Sequence, residues 1–341
     1  MTMLTVMPVS AQDLKALDFE RWLVSTEPEW FREYLSPNPQ SRARYLMGRF
    51  DSALAGPDGR AFLCTEGEHI RGAIALERLA WDSEHFGVKC GRIAACCITQ
   101  GLGAESRRAL HAELLREALH WADANEIRLL QRRLLVSRTD EIRCLIEVGF
   151  RQADNMVTML APLANAAPAR EPNPRLVFRD ARTDDLPVLL AMTRGAFPHS
   201  RFAQDPVLGK LRGEEVYQRW IENLLLNWRS DKTPAGAKTN VIACVVGETV
   251  AGYATYRTDR ALDKLLERRL GLLELIVVDP AHRRQGVGRY LLDRVMEAMR
   301  KDRVSDVEAT TWADQLEVLA LYRDAGLQVE ENLLTYHLWR N

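Results

Sequence analysis

Three arginines and two glycines crowd into the stretch VVDPAHRRQGVGR, Val277 to Arg289. An apolar run of strand character ends at Pro280, and an amphipathic helical pattern begins at Gly286. A strand feeding a short basic turn into a helix N-terminus is a ready anion site. The first-turn N–H groups have no intrahelical acceptor, and the macrodipole adds about half a positive charge there. Gly286 and Gly288 clear side chains from the path of a phosphate, while Arg283, Arg284 and Arg289 add mobile positive charge. The spacing is R-x-x-G-x-G, which is neither GxxxxGK[ST] nor GxGxxG. For the glycines alone, a surface turn capped by Gly is the plain alternative.

The elements that must hold this turn repeat along the chain. The segment APLANAAPAREPNPR, 161–175, carries four prolines among small and polar residues and reads as a linker. It predicts a first domain over 1–165, a linker over 166–174 and a second domain over 175–341. In the second half, LVFRDA reads as a strand, 184–196 and 214–228 as helices, and NVIACVV with VAGYATYR as a hairpin. GLLELIVV, a helix over 286–300, DVEATTW, a helix over 315–325 and LLTYHLW follow. The first half gives AFLCTEG, IRGAIALERL, GRIAACCI, a helix over 104–124, EIRLLQRRLL, a helix over 139–148 and NMVTMLAP. The alternation predicts an α/β (α+β) class with a mixed, mostly antiparallel sheet flanked by helices in each half, each sheet closed by its own last strand.

With LYRDAGL at 321–327 downstream, the turn resembles motifs of the GCN5-related N-acetyltransferase (GNAT) superfamily over roughly 175–340. The resemblance implies acetyl-CoA as cosubstrate. Backbone groups of Ile276, Val277 and Val278 would pair with its pantetheine arm, and the amides of Arg284, Gln285, Gly286, Val287, Gly288 and Arg289 would wrap its pyrophosphate. It also implies a tyrosine that protonates the leaving thiolate, which falls on Tyr322, four residues before Gly326. Glu274, on the strand leading into the turn, is the candidate base. Where the family often has Asn beside the cofactor, this chain has Gln315. The bland readings are a helix tyrosine packed on the sheet and a strand glutamate paired with an arginine.

The first half lacks these parts. Its corresponding turn, TQGLGAESRRALHAELL, has Gly101 and Gly103 but no preceding arginine, and Leu145 stands where Tyr322 stands in the second half. The first domain is therefore expected to be a degenerate scaffold or a wall of the acceptor pocket. LAWDSEHFGVKCGRI (79–93), HSRFAQDP (199–206) and YQRWIENLL (217–225) resemble the TDP-fucosamine acetyltransferase group. That implies a nucleotide-linked amino sugar as acceptor, with Arg201 on its diphosphate and Phe202, Tyr217 or Trp220 against a ring. Tyr217, Ile221, Leu224 and Leu225 also fall at helical spacing, which fits core packing equally.

Composition bounds the rest. The 341 residues carry a formal net charge of −1, which disfavours nucleic acid and anionic lipid as partners. No apolar run reaches the roughly 18 residues of a membrane span, and the start lacks a basic n-region. The six cysteines show no CxxC spacing, so zinc and a disulfide framework are not expected and buried thiols in a cytoplasm are. The expectation is a cytoplasmic, tandem N-acetyltransferase, monomer or homodimer, without a metal, acting on a small-molecule amine in a ternary complex. The alternatives are a tandem enzyme for another amine (a mycothiol-synthase-like acceptor, a polyamine, a peptide or an antibiotic) and a non-catalytic acyl-CoA sensor.

Overall fold

The computed structural model describes residues 4–340 except 37, 57, 168–169, 172, 210–211, 214 and 228–236. The first half of the chain forms β1 (Leu4–Val9), α1 (Ala11–Ala16), α2 (Phe19–Val24), α3 (Pro39–Ala55), β2 (Arg60–Glu66) and β3 (His69–Arg78). It continues with α4 (Ala80–Phe86), β4 (Cys90–Ile98), α5 (Ala104–Ala124), β5 (Leu129–Leu135), α6 (Thr139–Glu147) and β6 (Arg151–Pro162). The second half forms β7 (Leu176–Asp180), α7 (Leu186–Thr193), α8 (Arg201–Gln204), α9 (Glu215–Asn227), β8 (Ala237–Val246) and β9 (Thr249–Asp259). After these come α10 (Arg260–Leu266), β10 (Leu270–Val278), α11 (Val287–Lys301), β11 (Asp306–Trp312), α12 (Leu316–Asp324) and β12 (Gln328–Trp339). The long periodic helices lie where the pattern put them; β1, α1, α2, α3, α4, α8 and α10 are additions.

Two compact units divide the chain: Met1–Asp154 with Leu333–Asn341, and Asn155–Asn332. In the first, the strands run β1-β2-β3-β4-β5-β12; in the second, β7-β8-β9-β10-β11-β6. The two units share one design: antiparallel neighbours throughout, except for the parallel pairs β4–β5 and β10–β11. The sixth strand of each sheet comes from the other half of the sequence. β6 pairs with β11 from Asp306↔Pro162 to Trp312↔Met156, and β12 pairs with β5 from Leu333↔Leu135 to Trp339↔Leu129. The sequence pattern assigned NMVTMLAP and LLTYHLW each to its own half; both are alternating strands of similar composition, and nothing local names the partner. Residues 166–174 fall inside the range of the second unit, where the Ala167 N–H donates to the Ala325 carbonyl at 3.0 Å.

The core of the second unit lies between the sheet and the apolar faces of α11 and α12. Leu291, Leu292, Val295, Met296 and Met299 recur at helical spacing along α11 and are buried against Leu273, Ala254, Tyr256, Val307 and Ala309. Each fully buried aliphatic side chain of this kind contributes about 1.5–3 kcal/mol. All six cysteines are buried and none is in a disulfide.

Candidate functional site

The parallel ladder between β10 and β11 is short. It runs from Leu270↔Asp306 to Leu273↔Ala309 and stops, although β10 continues to Val278 and β11 to Trp312. At that point β10 bulges against β9: Leu273 faces Tyr256 and Leu275 faces Thr255, which leaves Glu274 as the extra residue. The Leu275 N–H donates to Thr255 Oγ1 at 3.1 Å, so a side chain fills the ladder position that the bulge vacates. The strands part beyond the bulge, and no β11 residue pairs with Ile276, Val277 or Val278.

The turn that follows is built from backbone. Asp279 Oδ1 accepts the Ala281 N–H at 2.8 Å and starts a single 3-10 turn over Pro280–His282. Arg284 adopts φ +59, and Gly286, the N-cap of α11, adopts φ +80. Among the described residues no side chain caps α11, so the amides of its first turn are left for a ligand or water. A Cβ at Gly288 would sit at ordinary distance from Val278 and Leu321, so the protein does not itself require that glycine. At Gly252 it does: a Cβ would come within 2.7 Å of the Val277 carbonyl oxygen.

The arginines divide. Arg283 and Arg284 are exposed, and Arg283 Nε donates to the Val278 carbonyl at 3.2 Å. Gln285 folds onto the Ala281 carbonyl at 3.0 Å. Arg289, expected to add mobile charge, is buried and donates along its own helix to Asp293 at 2.9 Å. Its i,i+4 spacing to an acid gave that pairing away in the sequence. Gln315 precedes α12 and its Oε1 accepts from the Thr311 hydroxyl at 3.1 Å.

Tyr322 is 4% exposed on α12 and belongs to the same buried cluster as Val287, Leu291 and Ala309. Burial pushes its hydroxyl pKa up, so the phenol keeps its proton through neutral pH. Glu274 Oε1 accepts from Arg257 Nε at 2.9 Å, whereas its buried Oε2 has no partner among the described residues. Burial raises the Glu274 carboxyl above the ordinary value, with Arg257 pulling the other way.

On the face of the sheet away from α11, five aromatic side chains meet. Phe197 lies 4.2 Å from Tyr217 between centroids, Tyr217 stacks on Trp220 at 6.0 Å, and Phe202 meets Tyr217 edge-on at 6.4 Å. Trp312, at the end of β11, approaches Phe197 at 6.1 Å and Tyr217 at 6.3 Å. The Arg201 guanidinium lies 4.2 Å over the Phe202 ring. Phe202, Tyr217 and Trp220 are thus brought together, with Phe202 and Tyr217 buried. Phe197 and Trp312 escaped sequence reading because neither lies in a motif. His199 Nδ1 and Asp314 Oδ2 are 2.7 Å apart, tying the segment before α8 to the loop after β11.

The first unit supplies an internal control. Its parallel ladder also stops after four pairs, Cys90↔Leu129 to Ile93↔Arg132, and β4 bulges at Ala94. Beyond that bulge the strand edge is taken up by protein. The Cys96 N–H donates to Glu29 Oε2 at 3.1 Å, the Cys96 carbonyl accepts from Arg138 at 2.7 Å, and the Ile98 carbonyl accepts the Glu27 N–H at 2.9 Å. Glu29 is held by Arg132 at 2.6 Å, and Glu141 binds Arg132 at 2.7 Å and Arg138 at 2.6 Å, all four side chains being nearly inaccessible. Burial alone would raise the Glu141 carboxyl, but Arg132 and Arg138 hold it well below the carboxylate range. In the register of the bulges, Cys96 and Ile98 correspond to Ile276 and Val278.

A mixed sheet whose parallel pair splays beside a glycine turn and an uncapped helix is the fold class that the sequence motifs resemble. Residues 205–327 match the family model "Acetyltransferase (GNAT) family". Over 155 residues the chain is 27% identical to the spore coat polysaccharide biosynthesis protein SpsD of Bacillus subtilis (strain 168). That match covers 46% of this chain and 48% of SpsD, so the likeness spans about half of each protein. Among solved structures, a GCN5-related N-acetyltransferase from Sphaerobacter thermophilus aligns over 98% of this chain and 95% of its own, with a TM-score of 0.63 and 16% identity. A tandem GNAT protein from the clavulanic acid biosynthesis pathway aligns over 99% and 98%, with a TM-score of 0.59 and 14% identity. At such identities the likeness establishes the fold, a tandem GNAT arrangement of two α/β units. No helix among the described residues is long and apolar enough to cross a membrane.

Proposed function

We propose that the chain is an acetyl-CoA-dependent N-acetyltransferase whose reaction centre lies in the second unit and whose acceptor is an amine on a nucleotide-linked sugar. The observation that carries the reading is the open edge of β10 beyond Glu274, beside the uncapped first turn of α11. The fit is good: the strands part where a narrow arm needs backbone partners, and the free amides lie where a pyrophosphate needs donors. Ile276, Val277 and Val278 would hold the pantetheine arm. The amides of 284–289, with exposed Arg283 and Arg284, would hold the pyrophosphate. The bound cosubstrate supplies an activated acetyl thioester.

This chain's residues move the protons. Glu274, through the Oε2 that no group among the described residues engages, takes a proton from the acceptor ammonium directly or through one water. Tyr322, kept protonated by burial, gives its proton to the departing sulfur. An ammonium loses two protons on becoming an amide, and Glu274 takes the first. One C–N bond then forms and one C–S bond breaks, the second proton passes from the adduct nitrogen to water, and Tyr322 loses the one that the thiolate gains. Exchange with water resets both. A thiol pKa of about 8.5 makes the sulfur a fair leaving group, so a weak acid suffices.

The sugar acceptor draws support from the polysaccharide pathway named for SpsD and from the aromatic cluster beside β11. A thiol-release assay with acetyl-CoA and a TDP-linked 4-amino-4,6-dideoxyhexose tests the reading. Release that depends on both compounds supports it, and no release with any amine favours an acyl-CoA sensor instead.

A further inference from the structure

We propose that Trp312 is a specificity-determining residue, its indole N–H donating a hydrogen bond to an oxygen of the acceptor. The inference rests on the acetyltransferase reading of the second unit and adds to it the group that recognises the acceptor rather than the cosubstrate.

Trp312 is 7% exposed, and its Nε1 has no hydrogen-bond partner among the described residues. A buried donor left unmade loses its hydration without return, which native proteins rarely tolerate away from a ligand site. The ring is fixed by Phe197 and Tyr217, so the N–H cannot simply swing toward solvent. Its place matters as much as its burial. Val307 and Ala309 of β11 face α11 in the core, so alternation turns Glu308, Thr310 and Trp312 to the opposite face. On β9, Tyr256 faces that same core, and Arg257 the other side, where it holds Glu274. The unpartnered Oε2 of Glu274 and the unpartnered N–H of Trp312 therefore sit on one face of the sheet, on the two strands that part at the bulge. A base and a donor there, beside an aromatic wall, suit an acceptor with an amine to deprotonate, a nearby hydroxyl or ring oxygen to bind, and C–H faces to pack. That description is an amino sugar.

Substituting Trp312→Phe removes the N–H and keeps an aromatic ring. With acetyl-CoA and the TDP-linked 4-amino-4,6-dideoxyhexose, the acceptor KM should rise about 3- to 10-fold, the worth of one neutral hydrogen bond. The KM for acetyl-CoA should stay unchanged and the melting temperature should not fall, since an unpaired donor has been removed. A merely structural tryptophan would lower the melting temperature and leave the KM ratio alone. In the parent chain, the indole 15N–1H resonance of Trp312 should move on adding that sugar nucleotide. An unchanged acceptor KM in W312F, or an unmoved resonance at saturating acceptor, overturns the assignment. A moved resonance without acetyl transfer would keep Trp312 as a reader of the sugar and remove the acetyltransferase reading; transfer with an unmoved resonance does the reverse. The resonance decides the matter should W312F fail to fold.

Discussion

Glu274 and Ala94 occupy the same structural place, each being the extra residue where the central strand of its unit bulges before the parallel ladder ends. In one unit that place holds a buried carboxylate with an oxygen that no described residue engages; in the other it holds an alanine whose backbone carbonyl accepts from Arg49 at 2.8 Å. The shared design and unlike chemistry support the proposal that the reaction centre lies in the second unit.

Replacing Glu274 by Gln should lower kcat by about 10²-fold or more, the lower end of what a positioned base contributes. The parent's kcat/KM should fall on the acid side through an apparent pKa above the ordinary glutamate range, because burial raises this carboxyl and the base works only when deprotonated. The acid limb should vanish in E274Q. A limb that persists unchanged would assign the titration to another group.

Tyr322→Phe should leave acetyl-CoA affinity within about twofold and reduce turnover by about 10²–10⁴-fold. Isothermal titration and steady-state assays on the same preparation separate the two effects. Equal turnover would remove the acid role.

Acetyl-CoA should bind with one site per chain. In the first unit Glu29, Arg138 and the Glu27 backbone already hold the groups of Cys96 and Ile98 that correspond to the open edge of β10. Substituting Gly286→Val places a branched side chain at φ +80 and should abolish that one binding event. Two sites in the parent, or full binding in the variant, would contradict the assignment.

The buried quartet of Glu29, Arg132, Arg138 and Glu141 should behave as structure. Glu141→Gln removes the buried negative charge that Arg132 and Arg138 share and should cost about 3–5 kcal/mol in urea unfolding. Because the folded carboxyl titrates below its unfolded value, its contribution is present above the ordinary glutamate pKa and is lost as pH falls toward the depressed one. E141Q should therefore flatten the acid side of the stability profile.

What could be read ahead depended on range. The turn at 283–288 and the helix that follows were legible because local rules write them: glycine at a left-handed position and apolar residues at helical spacing; Tyr322 is singled out only through the family resemblance. The exchange of β6 and β12 was not, since an alternating strand does not name its neighbour and the pairing spans more than 140 residues. The filling of the first unit's strand edge comes from STEPEW, Ser25 to Trp30, a stretch without periodicity. Glu274 was nameable from its strand, but its unengaged oxygen depends on a bulge and on Arg257. Trp312 lies in no motif, and its unpaired N–H exists only in three dimensions.

The most direct test of the central claim is free-thiol release from acetyl-CoA by the purified chain, measured with a TDP-linked 4-amino-4,6-dideoxyhexose beside free amino sugars, polyamines, aminoglycosides and peptides. The account predicts release with the nucleotide-linked amino sugar and its loss in Y322F. Release with none of these amines would contradict it.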